Sequence, residues 1–179
     1  MILRDESTLG EPGALVRSPE REIVKRPTNT SDRSRQRLLI LSCSKAKSVT
    51  GQSVPAIDLY NGPAFRVLRR YISSSDLSAE LDIVILSAKH GFISSSKVIA
   101  SYDQRMRRDT VLPSATLRHQ LAAFTTGKRY SKVFVSLGAD YVSRLPELET
   151  VLAGHPSILI AKGRIGEKLH SLKEWLFST

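Results

Sequence analysis

Cys43-Ser44-Lys45-Ala46-Lys47, with Ser42 before it, gathers the chain's only cysteine, two hydroxyls and two lysines at the end of an apolar run. An ammonium beside a thiol favours the thiolate, so Cys43 is a candidate nucleophile, with Lys45 as a catalytic partner and Ser44 and Lys47 as ligand contacts. The same cysteine also suits a small buried hydrophobic position, because free cysteine is among the most buried residue types. A second group, Ser87-Ala88-Lys89-His90-Gly91, offers His90 as a general acid or base with Lys89 as its electrostatic partner. A histidine beside a turn glycine is equally well a surface residue. Ser101-Tyr102-Asp103 follows. Asp103 can act as a base, orient a substrate, or contact a sugar hydroxyl or a base edge; it can also form an ion pair that fixes its loop. Arg105, Arg107 and Arg108 beside it suit phosphates, and Arg66, Arg69 and Arg70 form a second basic group.

Four β-type runs must position these residues. They cover residues 38–42, 82–87, 132–137 and 157–161, and their continuous apolar character is that of strands buried on both faces. Helical spacing appears at residues 63–71 (Phe65, Leu68, then Ile72), 110–124, 145–152 and 165–176. Strands alternating with helices predict an α/β fold, Rossmann-like and three-layered, with a mainly parallel sheet of four or five strands. Residues 89–109 show no clear period and read as a long functional loop. If the sheet is parallel, all four strand ends fall on one edge, where an open α/β sheet binds ligands. That edge collects Cys43 to Lys47, Ser87 to Gly91, Gly138 after the third strand, and Lys162-Gly163-Arg164-Ile165-Gly166 after the fourth. Small residues there admit a close ligand, and helix N-termini favour anions. The Gly163, Gly166 pair lacks the full dinucleotide spacing, and a tight turn explains it equally well.

Composition narrows the classes. A length of 179 residues suits one domain with a real core. Residues 1–36 hold seven Lys/Arg and six Asp/Glu with Pro12, Pro19 and Pro27, and read as a mostly disordered tail; residues 37–179 form the single domain. About +9 of the net +10 charge therefore sits in the folded part, favouring nucleic acid, nucleotides or phosphorylated metabolites. Aromatic residues are only 6%, too few for a broad single-strand stacking platform. One cysteine excludes an internal disulfide framework and a cysteine-based zinc site, and it fits a reducing cytoplasm. His119 and His155 have no partner at metal-ligand spacing. No apolar run approaches the ~18 residues of a membrane span. No cofactor, metal or membrane partner is expected.

Taken jointly, Cys43-Ser-Lys-x-Lys, Asp58-Leu-Tyr60 with Phe65, Ser87-Ala-Lys-x-Gly91 with Tyr102-Asp103, and Gly163-x-Ile-Gly166 form a recognisable pattern. The chain resembles, over about residues 38–176, a family of small bacterial and phage proteins carrying these motifs. Its members are associated with nucleic-acid base modification and DNA damage. The opening is also similar to the core of archaeal tRNA-guanine modifying enzymes, whose downstream Lys-Pro-Tyr and Ser-x-x-His elements are missing. The resemblance implies a Rossmann-like fold, a nucleobase or nucleoside context, and Tyr60 as a further ligand contact. The expected function is therefore an enzyme acting on a nucleobase, nucleoside or nucleotide, by cleavage or exchange at the glycosidic bond. Its counterpart is a non-catalytic DNA- or RNA-binding protein with a basic rim of Arg66, Arg70, Arg105, Arg107 and Arg108.

Overall fold

A computed structural model describes residues 36–48, 51–75, 80–104 and 112–178. The expected tail over residues 1–36 therefore lies outside the described residues, apart from Gln36.

Strand β1 (Arg37–Ser42) runs through the middle of the sheet, because Leu38 to Leu41 are apolar without alternation and can face protein on both sides. Leu39 and Leu41 enter one cluster with Leu59 of α1 (Ala56–Leu59), Phe65, Leu68 and Tyr71 of α2 (Pro63–Ser74), and Leu172 and Leu176 of α6 (Ile165–Phe177). Leu38 and Ile40 enter a second cluster with Leu117 and Leu121 of α3 (Ser114–Thr125) and Leu148 of α5 (Leu148–Val151). All four of these β1 side chains are fully buried, and each contributes about 1.5–3 kcal/mol.

The five-stranded sheet has the order β4-β3-β1-β6-β7, with β3 at Leu81–Ser87, β4 at Gly91–Ser94, β6 at Lys132–Ser136 and β7 at Ser157–Ile160. Strand β1 is parallel to both β3 and β6, and β6 is parallel to β7. The four expected strands and the mainly parallel sheet are thus present. Strand β4 is antiparallel to β3 and lies inside the stretch read as a loop, as does β5 (Val98–Ile99), which pairs with the short β2 (Val54–Pro55). Gly91 and a four-residue strand leave too little sequence for a visible period. Helix α3 starts behind Pro113, and the expected helix at residues 145–152 shrinks to one turn at α5.

The edge opposite the strand ends is held by two polar knots. Arg37 is buried; its guanidinium donates to the carbonyls of Trp175 (3.1 Å) and Leu176 (3.4 Å) at the negative end of α6, donates to the Tyr71 hydroxyl, and lies over the Trp175 ring. Asp82 Oδ2 accepts from Lys128 Nζ (2.9 Å), Tyr130 Oη (2.7 Å) and Gln36 Nε2 (3.4 Å), tying the start of β3 to the loop before β6. Asp82→Ala leaves the buried Tyr130 hydroxyl without its acceptor, and we expect a loss of about 2 kcal/mol in chemical denaturation. An unchanged midpoint would mean that this knot holds nothing.

Among the described residues, no helix is long and apolar enough to cross a membrane.

Candidate functional site

The chain runs outward from β1 to β3 and β4, then returns to the other side of β1 for β6 and β7. The order therefore reverses between β1 and β6, the place where an open α/β sheet forms a crevice beyond its strand ends. Cys43 sits there. Its N–H donates to Leu86 O at 2.9 Å, extending the β1–β3 ladder one residue past the strand. Its side chain packs against both core clusters, as only a residue at the rim of the sheet can. Across the crevice, Cys43 Sγ lies 3.1 Å from the hydroxyl of Tyr141, on the short α4 (Ala139–Val142) that follows β6.

After Cys43 the chain folds back on residues 58–61. Asn61 N–H donates to Ala46 O, Ser48 N–H to Leu59 O, and Lys47 pairs with Tyr60 in an antiparallel bridge. Gly62 permits this return: a Cβ there would stand 2.5 Å from Ser44 Oγ. Arg69 then fixes the segment from α2, donating to Ile57 O (2.8 Å), Tyr60 O (2.9 Å) and Asn61 Oδ1 (2.8 Å). Arg69 is thus part of the scaffold of Tyr60, while Arg66 and Arg70 on the same helix are exposed.

Tyr60 is completely buried, and its hydroxyl is 2.6 Å from that of Tyr102. Tyr102 Oη is in turn 2.7 Å from Ser87 Oγ at the end of β3. Ser87 Oγ also accepts the N–H groups of Lys89 and His90, each at 3.1 Å. Gln104 donates to Ala88 O at 2.9 Å and holds the loop carrying Tyr102 against this turn. The Tyr102 ring meets the His90 ring edge-on at 5.3 Å. The ammonium groups of Lys47 and Lys89 lie 4.6 and 5.5 Å from its centroid.

The hydrogens of this cluster can be counted. A serine hydroxyl has two lone pairs, and here both are used by the N–H groups of Lys89 and His90. The Ser87 hydrogen is left for Tyr102 Oη. Tyr60 and Tyr102 then hold two phenolic hydrogens for the single contact between them. Cys43 and Tyr141 share one contact, in which either atom can donate. One phenolic hydrogen is in surplus, with no further acceptor among the described residues. Burial pushes the Tyr60, Tyr102 and Tyr141 phenols above the ordinary tyrosine value, so all three stay protonated donors at neutral pH. His90 is lowered from its ordinary value by burial, then by Lys89 and Lys97, and is neutral at pH 7.

Of the expected site residues, Cys43, Lys47, Tyr60, Ser87, Lys89, His90 and Tyr102 therefore come together. Ser44 packs at Gly62, and Lys45 is exposed, with no side-chain hydrogen bond or ion pair among the described residues. Asp103 follows Tyr102 directly but is exposed, with no hydrogen bond or ion pair among the described residues. Arg105, Arg107 and Arg108 lie outside the described residues. Gly91 has a turn role (φ 70°), and Gly138 leads into α4. Gly163 (φ 86°) makes the turn before α6, where Glu167 accepts the Arg164 N–H at 2.6 Å; neither Gly163 nor Gly166 touches the Cys43 cluster. Tyr141 and Gln104 were not foreseen as parts of the site, and Arg69, read as one of a basic group suited to phosphates, instead holds the Tyr60 segment. For Tyr141 a signal existed, since the first turn after a parallel strand overhangs the rim. Among the described residues no group of three or more His, Cys, Asp or Glu could hold a metal.

A family model described as a family of unknown function, DUF6884, matches residues 38–174. The chain belongs to the DUF6884 family. No curated protein and no solved structure matches it. The DUF6884 span runs from the second residue of β1 to near the end of α6 and encloses every member of the Cys43 cluster.

Proposed function

We propose that this DUF6884 protein is a cytoplasmic enzyme of Rossmann-like, three-layer form that acts on a nucleobase, nucleoside or nucleotide, free or within DNA or RNA. The reaction is cleavage or exchange at the glycosidic bond. One observation carries the reading: a thiol, a serine, three protonated phenols, two ammonium groups and a neutral histidine converge where the strand order reverses. Such a site can orient a polar ligand and donate to a departing base without reorganising. In this reading Cys43 or Asp103 faces the anomeric carbon, with Lys45 near the entrance. His90, Lys89 or a spare phenol supports the ring nitrogen that takes up the bonding electron pair. Being neutral, His90 can also accept the proton of an attacking water.

The test is incubation of the full chain with mixed nucleosides, nucleotides and DNA, with released base read by mass spectrometry. We expect release by the wild type and a fall of roughly 100-fold in Cys43→Ala or Asp103→Ala. Release that survives both substitutions, or no release from any substrate, would sink the reading. The second reading is a non-catalytic DNA or RNA binder. It draws on Arg66 and Arg70, which are exposed one turn apart on α2. It requires nucleic-acid affinity that falls steeply with salt and is lost on replacing these arginines.

A further inference from the structure

The Cys43 cluster has more donors than acceptors, and this imbalance specifies its ligand more closely than the reaction does. The contact of Tyr60 with Tyr102 leaves one phenolic hydrogen over among the described residues, because Ser87 already donates to Tyr102. Tyr60 is fully buried, so water in bulk does not reach it. Lys47 and Lys89 add two ammonium groups, each held near the Tyr102 ring. Neither is ion-paired: the salt bridges among the described residues join Lys128 to Asp82 and His170 to Glu174, both away from the rim. The nearest carboxylates in sequence, Asp58, Asp103 and Asp140, are exposed and hydrogen-bonded to none of these groups. A neutral ligand with donors of its own would leave both surpluses in place. A ligand oxygen with several lone pairs and a negative charge would answer both.

We propose that this site binds its ligand through a phosphoryl group, held by Lys47, Lys89 and the spare phenolic hydrogen of the Tyr60–Tyr102 pair. The inference rests on the reading of the site as one for nucleobase-containing ligands, and it narrows that class to nucleotides over nucleosides. Charge-assisted hydrogen bonds to phosphoryl oxygens are about twice as strong as neutral ones, and the two lysines are held at the rim in advance of binding. The Tyr102 ring, already meeting two ammonium groups and the His90 ring, acts as their platform and not as a stacking surface for a base.

The test is calorimetric titration of the full chain with nucleoside 5′-monophosphates, the matching nucleosides, and inorganic phosphate. We expect at least one monophosphate to bind roughly tenfold or more tighter than its nucleoside, with inorganic phosphate competing. Lys47→Gln and Lys89→Gln should each remove most of that preference, and Tyr102→Phe, which keeps the ring, should weaken the monophosphate several-fold. Lys132→Gln, at the opposite edge of the sheet, should leave it intact. Equal binding of nucleoside and monophosphate overturns the proposal without needing any variant to fold. So does a phosphate preference that survives both lysine substitutions. A lysine-dependent phosphate preference without base release from any substrate keeps this proposal and removes the glycosidic reading. Base release that ignores the phosphate does the reverse.

Discussion

Gly91→Ala will lower the stability of the chain by about 3–4 kcal/mol, a large share of what a domain of this size possesses. Gly91 opens β4 with φ 70°, a conformation that costs an L-residue about 1–2 kcal/mol. An added Cβ would also stand 2.1 Å from Gln120 Oε1 and 2.9 Å from Leu112 Cδ1. Gln120 cannot yield without loss. Its side-chain amide accepts the Phe92 N–H at 2.9 Å and donates to His90 O at 3.1 Å, standing in for the strand that the outer side of β4 lacks. Displacing it breaks two hydrogen bonds worth about 1 kcal/mol each. The same displacement loosens the turn whose N–H groups hold Ser87, so the proposed nucleotide binding should fall together with stability. Gly127→Ala separates the two causes, because Gly127 has φ 73° and open space around it. It should cost only the backbone share. Urea denaturation that finds the two variants equally destabilised would show that the Gln120 contact contributes nothing.

Above about pH 10, where an unfolded tyrosine ionises, the folded chain will lose stability steeply. Burial is the first cause of the upward shift at Tyr60, Tyr102, Tyr130 and Tyr141, and at Tyr130 the neighbouring Asp82 adds to it. The unfolded chain releases these four protons while the folded chain retains them. Stability therefore falls as pH rises, by about 1.4 kcal/mol per pH unit for each group and about 5 kcal/mol per unit for the four together. Tyrosinate absorbance should rise in one cooperative step coincident with loss of the far-ultraviolet helix signal. Smooth ionisation of all five tyrosines in a chain that is still folded would contradict the burial of these phenols. Tyr60→Phe, Tyr102→Phe or Tyr141→Phe should each shallow the slope by one proton.

The two effects arise in different parts of the molecule, and their legibility in the sequence differs for the same reason. The φ of Gly91 and the turn after β3 were visible as a serine and glycine at a strand end. The partner that makes Gly91 costly to replace, Gln120, stands 28 residues away from Phe92 on a helix whose register the sequence alone leaves open. Tyr60 and Tyr102 were readable as ligand contacts, but the elevated values of the tyrosines were not. Their elevated values come from burial against segments that meet only in the folded chain.

The sequence by itself determined the four parallel strands, the helices between them, and the placing of Cys43, Ser87 and Gly138 along one edge. Continuous apolar runs and helical spacing are local signals, and right-handed crossovers then allow few arrangements. It also marked Lys47, Lys89, His90 and Tyr102 by chemical type. Only the tertiary structure decided which strand ends share a site: the ends of β1, β3 and β6 do so through Cys43, Ser87 and Tyr141, while the turn at Gly163 stands apart. It alone revealed β4, whose outer side is closed by Gln120, and the pairing of Cys43 with Tyr141 across 98 positions. Hydroxyl contacts of this kind have no periodicity to betray them. They depend on distances of a few ångströms between residues from different elements, and those distances exist only once the sheet has brought its strand ends together.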